Sequence, residues 1–188
     1  MIEIFQIFTF IIIFSSILLA PINIFQEKPY IKDLSIIERS SVNLSINLNI
    51  LLLISFLNYP LQIFQPIMLI IYSSLLFFYY RKRLLFLKDF LIFLIPLLII
   101  FFILSINISS NLYLGWDAKF FYYIKSLFFF DGKTIFDLNK FSQNIWHPYF
   151  GSYLWGFFWS ISFLEAEYFG RLIYLFLFCY SFYSVSQI

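Results

Sequence analysis

Asp117 is the residue whose type and setting best suit chemistry. It follows Gly115-Trp116 in a stretch, 111–156, that gathers acids, lysines, glycines and the single histidine of the chain, His147, beside a wall of aromatics. A carboxylate at a water–lipid boundary could act as a general base toward a lipid-linked substrate whose reactive head lies at that level. It could equally be a helix N-cap that accepts backbone N–H bonds after Gly115-Trp116. Energetics do not separate the two. A carboxylate costs about 2.5–3.5 kcal/mol at the bilayer centre on insertion scales, and less at the interface. His147 divides in the same way, between finishing a helix start and hydrogen-bonding a phosphate or hydroxyl. Asp131 and Asp137 read as turn residues, and Glu165, Glu167 and Arg171 as a salt-bridged turn. With one His and one Cys, the chain holds no metal-ligand cluster, no Cys–His pair, no P-loop and no GxSxG elbow. Metal ligands and cofactors are therefore not expected.

The elements that must position these residues are apolar helices. Of the 188 residues, 62% are hydrophobic and 12% charged, and the mean hydropathy is +0.90. A soluble domain carries about 25% charged residues. The long Ile/Leu/Phe runs do not alternate as β-barrel strands do. The expectation is an all-α, polytopic transmembrane protein, with the lipid bilayer as its first partner. A net charge of +2 is too small to imply nucleic acid, and Cys179, alone in an apolar run, gives no disulfide framework. Spans are expected at 4–25, 44–58, 61–80, 90–108, 149–164 and 172–188, in one transmembrane unit. Asn58-Tyr59-Pro60 marks a tight turn between the second and third. The cluster Arg81-Lys82-Arg83 with Lys88 marks a cytoplasmic side, which puts the loop 109–148 outside the cytoplasm and Glu165–Arg171 back inside.

Within the loop, 116–130 is expected to be an amphipathic helix on the membrane surface. At about 100° per residue, Trp116, Phe120, Tyr123, Ile124 and Leu127 share one arc. Tyr122, Lys125 and Ser126 lie across from it, with Lys119 at its edge, so the lysines reach toward water. Asp131-Gly132 ends the helix, and Trp146-His147-Pro148 opens the next.

Taken in order, Gly115-Trp116-Asp117, then Trp146-His147-Pro148-Tyr149-Phe150-Gly151, then Glu167-Tyr168-Phe169-Gly170-Arg171-Leu172 resemble the GT-C membrane glycosyltransferases. The likeness is to the bacterial branch related to protein O-mannosyltransferases and to aminoarabinose transferases of lipid A. It covers 113–188, with Tyr149 where the family has a second proline. The resemblance implies transfer of a sugar from a polyprenyl-phosphate donor to an acceptor outside the bacterial cytoplasmic membrane. It makes Asp117 the catalytic carboxylate, and Lys119, Lys125 and His147 the local candidates for holding the leaving phosphate. Because family members run to several hundred residues, it also implies that these residues are an N-terminal part. The alternative is a non-catalytic integral membrane protein, a transporter part or an assembly partner.

Overall fold

The computed structural model describes residues 13, 15, 17, 18, 33–82, 87–110, 113–138, 140, 148–161 and 167–187. Among them the chain is all-helical. The four longest helices are α1 (Ile36–Ser55), α2 (Leu61–Lys82), α3 (Leu87–Ser110) and α7 (Tyr168–Val185), as numbered in chain order here. Between α3 and α7 lie a π-helical segment (Ala118–Tyr123), α4 (Ile124–Phe130), α5 (Ile135–Leu138) and α6 (Phe150–Ile161). The expected span at 4–25 lies outside the described residues except for Ile13, Ser15, Ile17 and Leu18, which are helical.

α1 starts at Ile36, eight residues before the expected span. A capping box fixes this start: the Ser35 N–H donates to Glu38 Oε2 at 2.7 Å, and the Glu38 N–H to Ser35 Oγ at 3.2 Å. The extra turns carry Asn43, and Asn47 follows one turn later; both are buried. Asn43 Nδ2 donates to the Leu18 carbonyl at 2.8 Å and Asn47 Nδ2 to that of Ile17 at 3.1 Å. The Tyr72 hydroxyl donates to Asn47 Oδ1 at 2.5 Å. Polar side chains thus tie helices together from within. The large residues left outside are apolar: Ile63, Ile67 and Ile70 on α2, Ile92, Ile99 and Ile103 on α3, and Phe178 and Phe182 on α7.

Contacts fix how the helices run. Phe93 packs on Tyr183 and Phe101 on Phe176, so α3 and α7 are antiparallel. The Tyr180 hydroxyl hydrogen-bonds Ser40 and Ser41 at the start of α1. That end of the bundle also holds Arg39 and Arg81 and is called the basic end below. The other end holds the Asn58–Pro60 turn and the described residues from Tyr113 to Tyr149, and α6 leads from there toward Leu51, Met68 and Tyr72, which Ile161 joins. At the Asn58–Pro60 end the Thr134 hydroxyl hydrogen-bonds the Asn58 side-chain amide at 2.7 Å, Gln62 Nε2 donates to the Phe130 carbonyl at 2.5 Å, and Ser55 and Tyr149 share a hydroxyl bond at 3.0 Å.

By length and composition, one helix among the described residues is long and apolar enough to cross a membrane: Tyr168–Val185, 18 residues at a mean hydropathy of 1.2. Leu61–Leu75 and Phe90–Ile106 are shorter apolar stretches.

The segment expected as a span at 149–164 differs. α6 has 12 residues, about 18 Å at 1.5 Å per residue. It is too short to reach the basic end and packs instead beside α4. The two helices run the same way. Ser152 Oγ donates to the Tyr122 carbonyl at 3.0 Å, Gly156 faces the Ser126 carbonyl, and Phe130 stacks on Trp159 at 4.2 Å. The spacing Ser152, Gly156, Ser160 presents one small residue per turn on α6, which is what lets two helix backbones approach closely.

Candidate functional site

At the loop end, Tyr113, Leu114, Trp116, Lys119, Phe120 and Tyr123 face Glu167, Tyr168 and Arg171 across a groove of about 680 Å³. The sequence placed Glu165–Arg171 on the opposite side from the Asp117 loop. The structure brings Glu167 and Arg171 beside it, because α6 never crosses the bundle and α7 therefore begins at the end where α3 finished. The antiparallel match of α6 and α7 holds this turn in place. The Tyr174 hydroxyl donates to the Gly151 carbonyl, and Gly170 lies against Trp155.

Glu167 and Arg171 form a bidentate pair. Arg171 Nε donates to Oε1 at 2.7 Å and an Nη to Oε2 at 2.5 Å, with the two side chains 16% and 13% exposed. One helical turn separates them, with the acid on the N-terminal side, the favourable order. Planar fork-to-carboxylate pairing fixes the guanidinium in direction as well as position. Its carbon lies 5.9 Å from the Trp155 ring centre. From the other wall Tyr123 stacks on Trp159 at 6.0 Å and meets Trp155 at a tilt, at 6.2 Å. Trp155 is buried and, among the described residues, its indole Nε1 has no hydrogen-bond partner.

Asp117 is not a helix cap. Its backbone is right-handed helical (φ −61°, ψ −44°) and its side chain makes no capping bond. The Lys119 N–H bonds the Gly115 carbonyl at 2.9 Å, so the helix already includes Asp117. Its carboxylate is exposed, and Asp117 does not line the groove, although Trp116 and Lys119 on either side of it do. Lys119 is exposed, 6.0 Å from the Phe120 ring centre, and among the described residues has no ion-pair partner.

The face of 116–130 that the sequence reading turned to water is instead buried at Lys125 and Ser126. Lys125 and Ser126, expected in water, are 6% and 0% exposed, whereas Trp116 and Phe120 are exposed. One reason is the π segment. Its wider turn holds one residue more than an α-turn, which breaks the 100° count after Tyr123. The other is close packing: a Cβ on Gly156 would sit 2.8 Å from the Ser126 carbonyl oxygen, so glycine at 156 lets this turn of α4 press against α6. Lys125 therefore lies away from the groove lining, and burial pulls its ammonium below the usual lysine pKa.

The turns are as expected. After α4 the Gly132 N–H bonds the Phe129 carbonyl and the Lys133 N–H that of Phe128, with Gly132 at φ +81°: a Schellman end that requires glycine. Asp137 accepts from the Thr134 N–H at 3.0 Å and its hydroxyl at 2.9 Å. These bonds, with smaller help from Lys140, hold its carboxyl below the usual range. His147 and Trp146 lie outside the described residues. Among the described residues no three His, Cys, Asp or Glu side chains gather as a metal site.

Sequence reasoning left Glu167, Arg171, Tyr113 and Tyr168 out of the site. The Glu-x₃-Arg spacing was the available signal for the pair, but nothing local to it reveals which end of the bundle it occupies. Compared with known protein families, curated proteins and solved structures, the chain gives no match.

Proposed function

We propose that this chain is part of a multi-span protein of the bacterial cytoplasmic membrane. It would transfer a sugar from a polyprenyl-phosphate donor to an extracytoplasmic acceptor, as the GT-C glycosyltransferases do. The membrane reading is supported by the distribution of side chains. Helices of 20, 22, 24 and 18 residues are about 27–36 Å long, against roughly 30 Å of hydrocarbon. Large isoleucines and phenylalanines stand on their outward faces, while Ser40, Asn43, Asn47, Ser55 and Ser184 are among the residues buried between them. That arrangement suits a lipid solvent. Arginines at one end favour that end as cytoplasmic, leaving the groove outside.

The observation that carries the sugar-transfer reading is the groove. It joins the Trp116–Lys119 segment to the Glu167–Arg171 turn, two of the three sequence elements of the resemblance, at one end of the bundle. Lys119 and Arg171 supply positive charge for a phosphate, and Tyr113, Trp116, Tyr123 and Tyr168 supply flat faces and hydroxyls for a sugar ring. In the proposed step Asp117 takes the proton of an acceptor hydroxyl. The acceptor oxygen bonds to the anomeric carbon, and the carbon–oxygen bond to phosphate breaks, with its electron pair leaving on polyprenyl phosphate.

The test is Asp117→Asn in the longest natural form containing these residues, assayed for lipid-linked sugar transfer. A loss of about 10²-fold or more is expected for a general base, and undiminished transfer would refute the reading. A second reading, a non-catalytic integral membrane protein, draws on the absence of Asp117 from the groove lining and on the closed Glu167–Arg171 pair.

A further inference from the structure

The π segment separates two regions of unequal firmness. Downstream, α4 is pinned: Ser126 Oγ and Ser152 Oγ both donate to the Tyr122 carbonyl, at 2.8 and 3.0 Å, and Ser126 and Phe129 are fully buried. Upstream, Tyr113–Gly115 is non-helical, and a Cβ on Gly115 would have nothing within 4 Å. A π-turn amounts to one residue inserted into an α-helix. With the downstream side fixed, each upstream residue occupies the place its C-terminal neighbour would hold in a plain α-helix. Trp116 thus stands at the groove in the place that an unbroken helix would give to Asp117, and Asp117 is turned out by about 100°.

We propose that the π segment is a register switch that exchanges Trp116 for Asp117 at the groove. When it tightens to α, the stretch before it turns by about 100° and advances by about 1.5 Å. The loose coil at Gly115 takes up the advance, Trp116 leaves the lining and the Asp117 carboxylate enters it. A ligand that gains from a carboxylate, or needs the space of the indole, draws the helix into the second register. The catalytic consequence rests on the sugar-transfer reading above; the register exchange does not.

Two cysteine pairs distinguish the registers by thiol–thiol crosslinking across the groove in lipid nanodiscs: Trp116→Cys with Tyr168→Cys, and Asp117→Cys with Tyr168→Cys. Single-cysteine controls account for native Cys179, which is buried. Without added ligand the Trp116 pair should crosslink faster. Gly115→Ala favours helix at the residue the α register recruits, and should move the ratio toward the Asp117 pair by about fivefold. Polyprenyl phosphate should move it the same way. A shift with Gly115→Ala but not with polyprenyl phosphate supports the switch and counts against the lipid-linked donor. A ratio unmoved by both, or an Asp117 pair faster from the start, overturns the switch.

Discussion

Four glycines should rank in tolerance to alanine according to what their new Cβ would meet. At Gly170 it would lie 2.3 Å from Trp155 Cδ1 and 2.5 Å from the Trp155 carbonyl oxygen. At Gly156 it would lie 2.8 Å from the Ser126 carbonyl oxygen and 2.9 Å from Phe129 Cβ. Backbone atoms and the root of a buried ring cannot rotate away. Reaching the ordinary contact distance of 3.4 Å at Gly156 means separating α4 from α6 by about 0.6 Å. Interiors resist such displacements at a cost of about 1–3 kcal/mol. Gly156→Ala is expected to cost about 2 kcal/mol and Gly170→Ala about 3 kcal/mol or more. At Gly151 the Cβ would meet only the Tyr174 hydroxyl, at 3.3 Å, the far end of a side chain that can give. Gly151→Ala should stay within about 1 kcal/mol. At Gly115 it meets nothing, and Gly115→Ala should be neutral or slightly stabilising through helix propensity. Trp155 and Trp159 stand at these contacts, so tryptophan fluorescence during titration with denaturing detergent reads all four variants. Equal stability of Gly156→Ala and Gly151→Ala would refute the close packing of α4 on α6.

Other consequences are open to direct measurement. Asp137 has a folded pKa held below its unfolded value by the Thr134 bonds. Its contribution is therefore full above the usual carboxylate range, near pH 4, and is lost as pH falls through the folded value. Protease protection of 131–140 should fall in acid for the native chain, and Asp137→Asn should flatten that dependence. Asn47→Leu removes bonds to Tyr72 and to the Ile17 and Asn43 carbonyls. It should lower detergent-unfolding stability by about 1–2 kcal/mol; an unchanged midpoint would mean those bonds contribute nothing net. Arg171→Lys keeps the charge but loses the fork, and should weaken binding of polyprenyl phosphate to the nanodisc-held protein severalfold more than Lys125→Met, since Lys125 lies away from the groove lining.

Much of the helical character was legible from composition, because the Ile/Leu/Phe runs leave few alternatives to helix. The turn at Asn58-Tyr59-Pro60 and the helix end at Asp131-Gly132 were legible from their local chemistry. The early start of α1 was written in Ser35-x-x-Glu38, but its asparagines resemble loop residues. They read as helix only once the Leu18 and Ile17 carbonyls are known to meet them inside the bundle. The burial of Lys125 and Ser126 was not legible, since a periodicity count assumes one helical pitch and a π-turn resets it. The place of Glu167 and Arg171 was lost for another reason. Residues 149–164 are apolar enough to cross a membrane, and hydropathy does not distinguish a crossing helix from one buried beside α4. The signal that does is the Ser152, Gly156, Ser160 spacing, which calls for a backbone in close contact.

The Trp116–Lys119 segment and the Glu167–Arg171 turn share one end of the bundle, away from Arg81, and the proposal that this end lies outside the cytoplasm can be read by labelling. Single cysteines at Tyr113, Tyr168 and Arg81, each exchanged for the native residue, would be exposed in intact cells to a thiol reagent that does not cross membranes. The expected result is labelling of Tyr113→Cys and Tyr168→Cys without permeabilisation, and of Arg81→Cys only after it. Labelling of Tyr168→Cys with Arg81→Cys, only after permeabilisation, would contradict the groove and the function proposed for it.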